Sequence, residues 1–189
     1  DNGPFDEPNS CFKLGLGLSR SGMLRQACQQ FERVKELAPN FLPARLMLAD
    51  ICADGLNPAQ ALRWVDEMKA DPALQPLGLT NEVNLTLTEA KAWFALTNRP
   101  KAEGIIYAML ATHPRDPFVF DRAIAGLMAH GSHSEAIRII DRHLQLAPND
   151  AEALANKGML HLLVNQFSNA IPPLTRALSL TNTYEIRRN

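Results

Sequence analysis

The spacing of small residues constrains this chain most. Ala27, Ala61, Ala102, Ala136 and Ala170 follow one another at steps of 34, 41, 34 and 34 residues. A second series, Gly15, Ala49, Ala90, Ile124 and Gly158, keeps the same steps. Pro39, Pro72, Pro114 and Pro148 close the units at steps of 33, 42 and 34. The 41-residue step is one 34-residue period with seven residues added. A unit of this size cannot bury its apolar face alone, so a fixed period implies stacked units sharing a continuous core.

Each period contains two helical patterns. In the first unit, Leu14 and Leu18, with Met23 after a turn, form one apolar series, and Ala27, Phe31 and Val34 form the next. Proline then stops the second helix, because it lacks the amide hydrogen and clashes with the preceding turn. The small residues fall where two helices of a pair cross closely, Gly15 against Ala27 and Gly158 against Ala170.

This pattern resembles the tetratricopeptide repeat (TPR). In register, the first unit reads "PNSCFKLGLGLSRSGMLRQACQQFERVKELAPNF", with Leu14, Gly15 and Leu18 on the first helix motif and Ala27, Phe31 and Pro39 on the second. The resemblance covers roughly 8–184. It implies an all-α, right-handed α-solenoid of about five helix-turn-helix repeats. The register sets repeats at 8–41, 42–74, 83–116, 117–150 and 151–184, with an N-terminal extension at 1–7 and an insertion at 75–82. Residues 185–189 read as the start of a truncated sixth helix pair, as in a longer repeat protein.

The stretch "GLGLSRSG" (15–22) looks at first like a phosphate loop. Met23 and Leu24 stand where a P-loop needs Lys and Ser or Thr, and Arg20 takes the third glycine position of the dinucleotide fingerprint. The repeat explains two of the three glycines instead: Gly15 at the crossing, and Gly22 at the helix end, where a left-handed residue is easy for glycine. The repeat gives no role to Gly17.

Net charge is −1 and apolar content 46%, which gives no electrostatic pull toward nucleic acid and no apolar run long enough for a membrane span. Cys11, Cys28 and Cys52 are too widely spaced for a disulfide framework or zinc motif and read as small packing residues; this leans toward a reducing, cytoplasmic compartment. "NLT" (84–86) matches a glycosylation sequon but falls in a helical pattern. No Ser, Cys or His grouping has recurring catalytic geometry, and no cofactor or metal is expected. His143 and His161 are set to approach across stacked repeats. His130 and His133 sit in an inter-helix turn.

Two features depart from the repeat. "DPALQPLGLTNE" (71–82) reads as a surface loop, with Thr80 or Asn81 capping an early-starting helix. Pro172 and Pro173 predict a late start or bend in the second helix of repeat five.

The resemblance implies a non-catalytic scaffold whose first helices line a concave groove for a peptide or amphipathic helix. The groove positions are Asn9, Phe12, Leu16 and Ser19; Leu46, Asp50 and Ala53; Leu87, Lys91 and Phe94; Phe118, Asp121, Ala125 and Met128; and Ala155, Met159 and Leu162. None of the paired positions holds the Lys and Asn with which some members of the family grip a C-terminal carboxylate. The groove is mostly apolar, which favours an apolar or amphipathic partner. A structural spacer or self-association segment with no separate client is the alternative. The last helix would be left partly uncovered, which makes the C-terminal end a candidate homodimer surface.

Overall fold

The computed structural model describes the backbone of residues 7–188 and the side chains as far as Thr181. Among the described residues, ten α-helices follow in order: α1 Pro8–Arg20, α2 Leu24–Leu37, α3 Leu42–Ile51, α4 Pro58–Ala70, α5 Leu79–Ala95, α6 Arg99–Thr112, α7 Pro117–Ala129, α8 His133–Leu146, α9 Ala151–Leu163 and α10 Phe167–Arg188. A π-helical turn, Cys52–Leu56, follows α3, and a 3₁₀ turn, Pro72–Leu74, follows α4. There is no strand among the described residues. The chain forms two compact units, residues 1–113 and 114–189.

The all-α class follows from the apolar periodicity, and the turns follow from local chemistry. Four of the helix pairs are joined by the same device. In the first, the Gly22 N–H donates to the Ser19 carbonyl at 3.0 Å and the Met23 N–H to the Leu18 carbonyl at 2.9 Å. This crossed pair satisfies carbonyls that a helix end leaves without partners, and it needs a left-handed residue between them. Thr97, Gly131 and Asn165 hold the same place after α5, α7 and α9, with φ of 60°, 70° and 60°. In the second pair the left-handed residue is Gly55, with φ of 101°; it comes one position earlier in the register, and the π-helical turn takes up the difference. Asn57, Asn98, Asp116 and Asp150 then cap α4, α6, α7 and α9 by accepting a backbone N–H on the side-chain oxygen.

In unit one, Phe31 and Val34 of α2 meet Ala44, Leu48 and Ile51 of α3, with Cys11 and Ala27 in the same cluster. Val65 and Met68 of α4 meet Leu85 of α5, and Ala61 meets Ala92. Each first helix therefore seals the second helix of the pair before it. Full burial of one such aliphatic or aromatic side chain contributes about 1.5–3 kcal/mol. In unit two, α8 packs against α7 and α9, and α9 against α10.

Several sequence expectations change. At the first crossing the residue facing Gly15 is Phe31, whose ring atoms would stand 2.6–3.0 Å from an added Cβ, whereas Ala27 is not among its nearest neighbours. At Gly158 the added Cβ would meet Leu174 as well as the Ala170 carbonyl oxygen, 3.2 Å away. Leu14 is 47% exposed and Met23 is exposed, so only part of the proposed α1 stripe is covered.

The segment 71–82 is not a loose loop. Arg45 of α3 binds Asp71 at 2.7 Å, Asp71 accepts the Ala73 N–H, and Leu74 and Leu77 pack against the core of unit one. Helix α5 begins at Leu79, so Thr80 and Asn81 lie inside it and Gly78 holds the N-cap position. Four of the added residues, 79–82, thus form an extra helical turn. Helix α10 starts at Phe167 and runs through Pro172 and Pro173 without delay. It then continues through 185–188, which therefore do not open a new helix pair. The stretch "LSLTNTYEIRR" after Ala177 contains neither Gly nor Pro, so neither residue stops the helix there. The expected extension at residues 1–7 lies outside the described residues apart from Glu7.

Candidate functional site

The groove positions fall on the first helix of each pair, and the two units present them differently. In unit one, Phe12 of α1 stacks obliquely on Phe31 at 5.7 Å and edge-on to Phe41 at 5.1 Å. Phe12 and Leu16 are half-buried against the α2–α3 core, and Leu46 against the α4–α5 core. Asn9 is exposed, Ser19 and Leu87 are half-buried, and Ala53 is fully buried, which removes Ala53 from any surface.

The charges of this face are mutually engaged. Lys91 of α5 reaches Asp50 of α3 and Asp54 of the π-helical turn, each at 3.0 Å. The offset position of Gly55 shapes that turn, and Asp54 lies directly before it. Sequence spacing places Asp50 and Lys91 on one face but gives no sign of Asp54, because the register change in the second pair is not periodic. Phe94 is half-buried, and the Arg99 guanidinium lies over its ring at 5.6 Å. The paired Lys91 is consequently a tie between α3 and α5 rather than a free cation.

In unit two the same register positions are more open. Phe118 and Asp121 of α7 are exposed, as are Ala125, Met159 and Leu162, while Met128 and Ala155 are half-buried. Met159 is 51% exposed, a high value for a large apolar side chain. Lys157 of α9 binds Asp141 of α8 at 2.6 Å.

A polar group borders this surface. His143 of α8 binds Asp150 at 2.7 Å, and its ring stacks on Phe120 at 4.2 Å. Burial raises the Asp121 carboxyl above the usual carboxylate range, and the nearby Asp150 charge adds to this, while His143 works the other way. Burial also acts to raise Asp150, but hydrogen bonds from the Ala153 N–H, His143 and the Glu152 N–H, with the His143 charge, leave it below its ordinary value.

The two histidines expected to meet have separate partners. His143 holds Asp150, and His161 Nδ1 lies 2.8 Å from Gln166 Oε1. His130 lies in the turn as the C-cap of α7, whereas His133, expected in that turn, is the first residue of α8. Cys28 and Cys52 share a side-chain hydrogen bond, and burial pushes the Cys52 thiol up to about 12. This is a buried, inert environment for sulfur. Thr86 of the sequon-like stretch donates to the Glu82 carbonyl within α5. No helix among the described residues is long and apolar enough to cross a membrane.

No family model and no curated protein matches this sequence. Solved structures do. A tetratricopeptide repeat protein from Parabacteroides merdae is similar with a TM-score of 0.65 and 14% identity, over 94% of this chain and 67% of that one. MamA matches with a TM-score of 0.52 and 15% identity, over 93% of this chain and 92% of its own. A MamA structure from Desulfovibrio magneticus RS-1, described as residues 41 to the end, gives 0.53 and 12% over 94% and 97%. The chain therefore has the tetratricopeptide-repeat fold.

Proposed function

We propose that this chain is a non-catalytic protein-interaction module whose first-helix face in unit two takes an apolar or amphipathic segment of a protein partner. The observation that carries this reading is the exposure of Phe118, Met159 and Leu162 on α7 and α9, at the register positions assigned to the groove. Large apolar groups left in water on one helix face are costly unless something covers them. Methionine suits such a face, since its flexible, polarizable side chain adapts to varied partners.

Asp121 refines the partner's chemistry. Its carboxyl is partly desolvated and faces the Asp150 charge, so a Lys or Arg beside the partner's apolar residues would relieve both. The corresponding face of unit one has its Lys91 already held by Asp50 and Asp54, which leaves its charges less available. The occupant is thus an amphipathic helix or peptide with two or three apolar anchors and an adjacent cation.

The test is selection from a displayed library of short peptides, followed by calorimetry on the enriched sequences. The expected outcome is enrichment of apolar residues next to Lys or Arg, with binding at least tenfold weaker for Met159→Glu in a chain that melts normally. Failure to enrich any sequence, or binders indifferent to both Met159→Glu and Asp121→Asn, would overturn the reading.

A further inference from the structure

We infer that one edge of unit one, where its three helix pairs turn, rests on the surface of an anionic bilayer without spanning it. This surface shares no residue with the proposed groove of unit two.

The order of the helices sets the geometry. Helices joined by short turns run antiparallel, so the turns α1–α2, α3–α4 and α5–α6 come to the same edge. A single buried cluster lies beneath all three. It joins Cys28 near the start of α2, Cys52 and Ala53 just after α3, Ala61 near the start of α4 and Ala92 near the end of α5. Each of these turns puts one large apolar side chain into water. Met23 is 45% exposed, Leu56 42% and Leu96 40%. Turns are ordinarily tipped by small and polar residues. One exposed leucine needs no explanation, but three successive turns with the same feature make a surface. At the opposite edge Phe41, Leu74 and Leu77 fold back onto the core, and Leu37 is the one exposed large apolar residue among the described residues there.

Charge follows the same division. The three turns, with one helical turn on either side, hold Arg20, Arg25, Arg99 and Lys101 against Asp50 and Asp54. Lys91 already holds both carboxylates, and Arg99 stands 3.7 Å from Glu103. Arg20 and Arg25 are exposed and have no ion pair among the described residues. Lys101 is exposed too, its ammonium 3.6 Å over the Trp93 ring, which fixes its place without cancelling its charge. At the opposite edge Lys35 meets Glu67 and Arg45 meets Asp71. The net charge of −1 over the whole chain hides this local surplus of cations.

Apolar tips set among cations suit a bilayer better than a peptide. A peptide partner needs a groove or a continuous row of pockets for its anchors, whereas these tips stand on three separate turns. The boundary between headgroups and acyl chains accepts separate apolar side chains to a depth of about 5–10 Å. Anionic headgroups meet the cations beside them. A soluble polyanion would pair with the cations but gain nothing from the tips.

The experiment is co-sedimentation of the full chain with vesicles of phosphatidylcholine alone and of phosphatidylcholine with about 30% phosphatidylserine. The native chain is expected to bind the anionic vesicles at least tenfold more tightly, and less tightly as salt rises. Each cation near an anionic leaflet strengthens adsorption about fivefold. Arg20→Gln with Arg25→Gln should therefore weaken binding at least tenfold. Leu56→Ser with Leu96→Ser should weaken it at least fivefold, and Leu146→Ser, at an exposed leucine of unit two, should leave it unchanged. Circular dichroism and melting check that each variant folds.

A native chain that ignores the anionic vesicles would overturn the inference. So would binding that survives the double arginine change. Binding lost with the arginines, untouched by the leucine changes and equalled on soluble polyphosphate would mark a general polyanion surface and overturn it too. None of these outcomes alters peptide binding at Met159, so the two readings fail separately.

Discussion

The ring of Phe31 occupies the space that a Cβ at Gly15 would need, with its nearest ring atom 2.6 Å from that position. Glycine at residue 15 is therefore a packing requirement of the first helix pair. Replacing it with alanine would gain about 1 kcal/mol of helix propensity. Overpacking against a rigid buried ring costs about 1–3 kcal/mol. Gly15→Ala is expected to lower stability by about 1 kcal/mol net. Urea unfolding measures this, and a Gly15→Ala, Phe31→Leu double variant should lose less than the sum of the two single changes.

Thr97 is a β-branched residue at φ of 60°, in the place where the first and fourth pairs use Gly22 and Gly131. A non-glycine residue in this region carries about 1–3 kcal/mol of strain. Glycine returns part of that gain through the entropy of the unfolded chain. Thr97→Gly is expected to stabilise unit one by about 0.5–1 kcal/mol. Gly131→Ala should do the reverse in unit two. Thermal melting of both variants checks the pair, and a neutral Thr97→Gly would show that the turn does not strain the threonine.

Lys91 joins α3, α5 and the π-helical turn through Asp50 and Asp54. Removing it leaves two carboxylates near each other without a shared cation. Lys91→Met is expected to cost about 1 kcal/mol, and Asp50→Asn in the same chain should recover part of it, because the exposed partners keep such couplings small. A double-mutant cycle measures the coupling, which should shrink as salt rises.

The carboxyl of Asp71 is held below its ordinary range first by the Arg45 hydrogen bond and then by the Ala73 N–H. A depressed folded value means that stability is present above the unfolded value, near about 3.9, and is lost as pH falls through the folded one. Asp71→Asn should therefore reduce the pH dependence of melting of unit one below about pH 4.

Asp121 has the opposite sign. Its folded value is raised, first by burial and then by Asp150, so its charged form weakens the fold above that value and protonation relieves the cost. Asp121→Asn is expected to stabilise unit two at pH 7 by less than about 1 kcal/mol, given its exposure, and the gain should vanish in acid. A melting series from pH 3 to 7 would show it, and a loss of stability at pH 7 would contradict the assignment.

The sequence by itself determined the helix pairs and their order. A period of 34 residues, small residues at two fixed places and a terminal proline leave few other folds, because each constraint acts within a single unit and repeats. Gly22 as a left-handed stop was legible for the same reason: the requirement is local to four or five residues. Tertiary structure decided what depends on contacts between residues distant in the chain. Phe31 rather than Ala27 fills the crossing at Gly15, because ring reach is not encoded in spacing. Asp54 joined Lys91 because the turn after α3 shifts by one residue, and His143 paired with Asp150 rather than His161 because Asp150 lies at the start of the adjoining helix. Segment 71–82, polar and proline-rich, reads as a loop, yet Leu74 and Leu77 find a core cluster only once α4 and α5 are packed.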